Sequence, residues 1–171
     1  ITSFDAMIPS AYRQYLAARH EKLGSIPLFS YGTDITTIRE AVDQGTFFAK
    51  IKIGADPDGD GDPEKMLAWD RDRLTEIHDA LKDRTTPHTQ SGRIPYYLDA
   101  NCRYADKAQI LQFLDHADAI GALERILFIE EPFPEEYREP VDDLPVTLAA
   151  DESLHSVAEA NERLDLGYGI L

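Results

Sequence analysis

Residues 126–132 read Ile126-Leu127-Phe128-Ile129-Glu130-Glu131-Pro132, an apolar run of strand length that closes on two carboxylates and a proline. Working outward, runs of similar length lie at Pro27 to Tyr31, Phe48 to Ile53, Tyr96 to Asp99 and Thr147 to Asp151, and a sixth opens at Tyr168 to Leu171. The segments between them carry helical periodicity and end signals. They are Asp34 to Gln44 before Gly45, Pro63 to Asp83 behind Asp62, Asp106 to Gly121, and Ser153 to Leu166 before Gly167. Strand, helix and strand repeated in this way imply an α/β fold with a parallel sheet and right-handed crossovers. That reading covers 26–171. The first 25 residues differ: Tyr12, Leu16, Arg19 and Leu23 share a helical face ahead of Gly24, so Ser10 to Leu23 reads as a helical lead-in or a linker.

Composition narrows the function. A chain of 171 residues with 43% apolar content supports one ordinary core. No apolar run approaches the roughly 18 to 20 residues of a spanning helix, and Ile1 to Asp5 lacks the regions of a signal peptide, so the reading is a cytoplasmic chain with no membrane partner. The single Cys102 forms no internal disulfide. A formal net charge of -15 argues against nucleic acid, whose phosphates need clustered Lys and Arg, and favours cations. Most of the 32 acidic residues must nevertheless be solvated surface, so position has to single out a site. Asp56, Asp58, Asp60 and Gly61 match the opening of a calcium loop, but Leu67 stands where the bidentate Glu belongs and Pro63 breaks the loop; the stretch reads as a solvated strand-to-helix connection.

Four polar motifs close or follow consecutive apolar runs: Lys50-Ile51-Lys52, Asp99-Ala100-Asn101, Glu130-Glu131-Pro132 and Asp151-Glu152-Ser153. In a parallel barrel the carboxyl ends of all strands face one mouth, so these motifs converge. Alternation along the strand puts Lys50 and Lys52 on one side, and burial plus like charge should lower their pKa toward the range of a general base. Asp99, Glu130 and Asp151 would repel one another unless protonated or bound to a cation. An oxygen-only donor set favours magnesium or manganese over zinc. His20, His78, His88 and His116 show no ligand spacing, His155 reads as a loop residue, Cys102 as a buried thiol, and Phe133 and Tyr137 as local packing.

In order and approximate spacing, these motifs resemble the second to fifth strands of enolase-superfamily barrels. The Asp of Ala150-Asp151-Glu152-Ser153 looks like the muconate-lactonizing subgroup, whereas the mandelate racemase subgroup places Glu there. The subgroup includes cycloisomerases, o-succinylbenzoate synthases, N-acylamino acid racemases and dipeptide epimerases. The resemblance implies a TIM-type barrel, here strands one to five and the start of six, and a lead-in at 1–25 joining a capping domain. It further implies Lys52 as the acid/base, Lys50 as its electrostatic neighbour, and Asp99, Glu130 and Asp151 as magnesium ligands. Asn101 would be a second-layer or substrate-facing group, with Glu152 turned away from the metal. The implied chemistry is abstraction of a proton alpha to a carboxylate of a small-molecule substrate, by a racemase, epimerase, cycloisomerase or syn-dehydratase that is a homo-oligomer in its full form.

A closed barrel needs roughly 200 to 250 residues, so the chain reads as a portion of a longer protein, inactive by itself, with a further lysine expected on the sixth strand. The competing readings are a non-catalytic metal-binding half-barrel and an acid-sugar dehydratase of the mandelate racemase type.

Overall fold

The computed structural model describes residues 25–171, so the expected helix from Ser10 to Leu23 lies outside the described residues. Five strands form one sheet in chain order, each parallel to its neighbours: β1 (Leu28–Phe29), β2 (Ala49–Lys52), β3 (Tyr96–Asp99), β4 (Ile126–Glu130) and β5 (Thr147–Ala149). Helices α1 (Ile35–Asp43), α2 (Pro63–Leu81), α3 (Lys107–Ala119) and α4 (Val157–Asp165) alternate with them. This is a partial (β/α) barrel of TIM type. The sixth apolar run begins where the sequence placed it, with Ile170 bridged to Ala149 and the Ala150 N–H donating to the Ile170 carbonyl at 3.0 Å.

Local chemistry fixes the helix starts. Asp34, Asp62, Asp106 and Ser156 each accept a hydrogen bond from a backbone N–H of the first turn, and Pro63 sits where a missing N–H costs nothing. The last helix therefore starts at Val157 and not at Ser153, because Ser153 is engaged elsewhere, as described below. At the other end of α2 the buried Arg125 donates to the Leu81 carbonyl at 3.2 Å and also to that of Lys82, satisfying acceptors the helix leaves open. The Thr85 to Arg93 loop closes on itself through an antiparallel bridge.

The two faces of the sheet differ as strand alternation requires. Ile51, Leu98, Ile129 and Leu148 are buried beneath helices whose Leu67, Leu74, Ile77 and Phe113 complete the main core. The opposite face carries Lys50, Lys52, Tyr97 and Phe128, all only partly buried. This second face is the barrel interior, and its upper edge holds the polar motifs.

Candidate active site

Strand register sets the heights of the site residues. Lys52 is paired with Asp99 and Asp99 with Glu130, so the three stand at one level, and Glu130 is paired in turn with Ala149. Asp151 is two residues beyond Ala149 and so one pleat higher, where it is exposed. Lys50 is paired with Tyr97 one pleat below Lys52, on the same face.

These residues form one charged network. Lys50 Nζ lies 2.8 Å from Asp99 Oδ2, 2.7 Å from Glu130 Oε2 and 3.0 Å from the Tyr97 hydroxyl. It also stands 4.4 Å from the centre of the Tyr97 ring, and the Tyr97 hydroxyl donates to Glu130. Lys52 Nζ lies 2.7 Å from the same Asp99 oxygen and donates to Asn101 Oδ1. Asn101 passes the chain on by donating to Glu152. Asp99 Oδ1 is buried and has no hydrogen-bond partner.

The electrostatics correct one expectation. Lys50 was expected to have a lowered pKa. Burial does act in that direction, but hydrogen bonds to Asp99, Glu130 and Tyr97 outweigh it and raise the group above its ordinary value. Like charge from Lys52 counts for less than two carboxylates within bonding distance. For Asp99 burial acts upward, yet the two lysines hold its carboxyl below the usual range. Glu130 is raised, chiefly by burial. Lys50 and Tyr97 oppose that shift, while the Asp99 charge and hydrogen bonding with the Asp151 carboxyl reinforce it. Burial also pushes the Tyr97 phenol up to about 12, which keeps it a donor.

Among the described residues no three His, Cys, Asp or Glu side chains are gathered into a metal cage. Asp99 and Glu130 share the Lys50 ammonium between them, and Asp151 adjoins Glu130 from above. Glu152 joins the network through its Oε1, two hydrogen bonds from Lys52 by way of Asn101.

Glu131, quoted in the sequence only as part of a motif, turns out to build the rim. It is fully buried, and its Oε2 accepts from the Asp151 N–H at 2.7 Å, the Ser153 N–H at 3.1 Å and the Ser153 hydroxyl at 2.9 Å. Arg163 from α4 donates to the same hydroxyl at 2.8 Å. Asn101, Cys102 and Glu131 all have positive φ, at 45°, 62° and 34°. Such backbone costs non-glycine residues energy and gathers at functional rims. Burial and then the charges of Glu131, Glu152 and Glu135 push the Cys102 thiol up to about 12, which disfavours its thiolate. His155 pairs with Glu135 on the surface, and the acidic loop binds Lys65 through Asp58 and Asp60.

A parallel barrel segment that gathers two lysines and acidic residues at the carboxyl ends of its strands defines a class of α/β enzyme domain. Residues 35–169 match the family described as Enolase C-terminal domain-like, and the chain belongs to that family, within the mandelate racemase/muconate lactonizing group of the enolase superfamily. No curated protein matches the chain. Among solved structures, N-succinyl Arg/Lys racemase from Bacillus cereus ATCC 14579 is similar with a TM-score of 0.63 and 16% identity, over 86% of this chain and 36% of that one. A putative mandelate racemase/muconate lactonizing enzyme from Sorangium cellulosum gives 0.60 and 23%, over 82% and 34%. Muconate lactonizing enzyme gives 0.57 and 20%, over 90% and 39%. The chain thus spans little more than a third of each of these proteins. No helix among the described residues is long and apolar enough to cross a membrane.

Proposed function

We propose that these residues form the lysine and carboxylate side of an active site that removes a proton alpha to the carboxylate of a small-molecule substrate. The observation that carries this reading is the single level of Lys52, Asp99 and Glu130 across three neighbouring strands, with Lys50 directly beneath. Asp99, Glu130 and Asp151 would hold a divalent cation, magnesium or manganese. The fit rests on oxygen donors alone, on the unpartnered buried Asp99 Oδ1, and on Lys50, whose ammonium already lies as a cation between two of the three carboxylates. When bound, such an ion supplies positive charge where the substrate carboxylate gains electron density.

The chain's own residues do the remaining work. Lys52, at the carboxyl end of β2, takes the alpha proton. Asn101 fixes the direction of its amine from one side and Asp99 from the other. Lys50 stays protonated and lowers the energy of negative charge in the mouth, and Tyr97 holds it through its ring and hydroxyl. The reaction is then a racemisation, epimerisation, cycloisomerisation or syn-elimination, all of which include a proton transfer at the carbon alpha to a carboxylate. Manganese titration of the full chain, followed by the loss of the free-ion electron paramagnetic signal, tests the ligand set. Asp99→Asn, Glu130→Gln and Asp151→Asn should each weaken binding by about tenfold or more. Unchanged affinity in Asp99→Asn or Asp151→Asn would remove that residue from the set.

A further inference from the structure

The β2 strand that carries Lys52 ends in a turn held from behind by a buried carboxylate. Asp70 lies in the middle of α2 and is fully buried, the one place in that helix where a short acidic side chain meets no solvent at all. Its Oδ2 accepts from the Gly54 N–H at 2.7 Å and from the Tyr104 hydroxyl at 2.5 Å, and its Oδ1 accepts from the Ala55 N–H at 3.3 Å. Gly54 and Ala55 follow Lys52 by two and three residues. Tyr104, also fully buried, donates its own N–H to the Pro132 carbonyl at 2.9 Å, so the same contact reaches the end of β4. The Tyr31 hydroxyl donates to the Ile53 carbonyl at 3.0 Å and completes the hold on the turn. Close approach is built in: Gly54 has φ +82°, and a Cβ there would stand 2.5 Å from Arg103 Cβ.

We propose that Asp70 is a positioning residue of the site, which anchors the Gly54–Ala55 turn to the β3 and β4 exits and thereby sets the place of the Lys52 amine. The proposal deepens the reading of Lys52 as the base. Burying a carboxylate is unfavourable unless hydrogen bonds offset it, and here they do so only in part: burial raises Asp70 to about 6 despite Tyr104, Gly54 and Ala55 acting to lower it. A carboxylate kept at a net energetic loss, directly behind a reactive side chain, is better explained by what it holds than by what it stabilises. Tyr104 from the β3–α3 loop faces it directly and Tyr31 from the β1–α1 loop feels its charge; Arg103 and Asp99 act in turn on Tyr31, and Arg71 on Tyr104. Burial raises both tyrosines, so both remain hydrogen-bond donors across the working range.

Amide hydrogen exchange and lysine acylation on the full chain test this without any substrate. In Asp70→Asn the Gly54 and Ala55 amides should exchange about tenfold faster at neutral pH, the change expected from one lost charge-assisted hydrogen bond. Acylation of Lys52 by acetic anhydride should rise severalfold relative to the exposed Lys65 and Lys82. Tyr104→Phe, which removes one donor and keeps the fold, should give the same pattern with smaller amplitude. Unchanged exchange and labelling in both variants would overturn the proposal, as would faster exchange spread evenly over the sheet. The base assignment fails separately, by alpha-proton exchange that survives Lys52→Ala, and that outcome would leave the turn measurements as they are.

Discussion

Glu131 is the residue whose removal should cost most at the rim. Its Oε2 alone receives the Asp151 N–H, the Ser153 N–H and the Ser153 hydroxyl, and the hydroxyl in turn receives Arg163. Glu131→Ala leaves three donors without an acceptor, at about 1.5–3 kcal/mol for each bond to a charged group, so a loss of about 4–6 kcal/mol is expected after partial rescue by water. Glu131→Gln keeps an oxygen acceptor of the same shape and loses only the charge, so it should cost about 1–2 kcal/mol. Urea unfolding of the full chain gives both values, and amide exchange at Asp151 and Ser153 locates the damage. Since Asp151 is a proposed cation ligand, manganese affinity should fall in parallel. An Ala variant that loses less than about 1 kcal/mol, or a Gln variant as unstable as the Ala one, would refute this account of the rim.

Asp70 should leave a signature in stability against pH. Its carboxyl is raised from 3.8 to about 6, a difference of about 3 kcal/mol. The folded chain binds this proton more tightly than the unfolded chain does. The contribution therefore favours folding fully below pH 3.8 and is lost as the pH rises through about 6. Asp70→Asn should flatten that part of the unfolding curve, and superimposable curves for the two proteins would contradict the shift. Gly54→Ala should destabilise by about 2–4 kcal/mol in a denaturant titration, combining about 1–2 kcal/mol of left-handed backbone strain with displacement of Arg103. A cost under about 1 kcal/mol would mean that the two loops do not meet as described.

The layers of this molecule were unequally legible in the sequence. Apolar runs closed by Lys52, Asp99 and Glu130 revealed β2, β3 and β4, because burial on a parallel sheet demands such runs and the mouth demands polar ends. Alternation put Lys50 and Lys52 on one face, as found. The raised pKa of Lys50 was not legible within its own strand, because its partners Asp99 and Glu130 come from two others. Tyr97 looked like any apolar strand residue, and its hydroxyl matters only through its meeting with Lys50 and Glu130. Asp70 sits in a helix rich in charge, where a solvated face was the natural expectation, and only packing against Gly54 and Tyr104 sets it apart. The conspicuous acidic loop at Asp56 to Asp62 is exposed and internally bonded, as its interrupted pattern suggested.

The central claim, that Lys52 takes a proton alpha to a carboxylate, is tested most directly by solvent deuterium exchange. The protein at its full natural length, loaded with magnesium, is incubated in deuterium oxide with a panel of N-succinyl amino acids, dipeptides and muconolactone, and loss of the alpha-proton resonance is followed by nuclear magnetic resonance. The account predicts exchange with at least one member, abolished in Lys52→Ala while manganese binding persists. Exchange that continues at the wild-type rate in Lys52→Ala would contradict it.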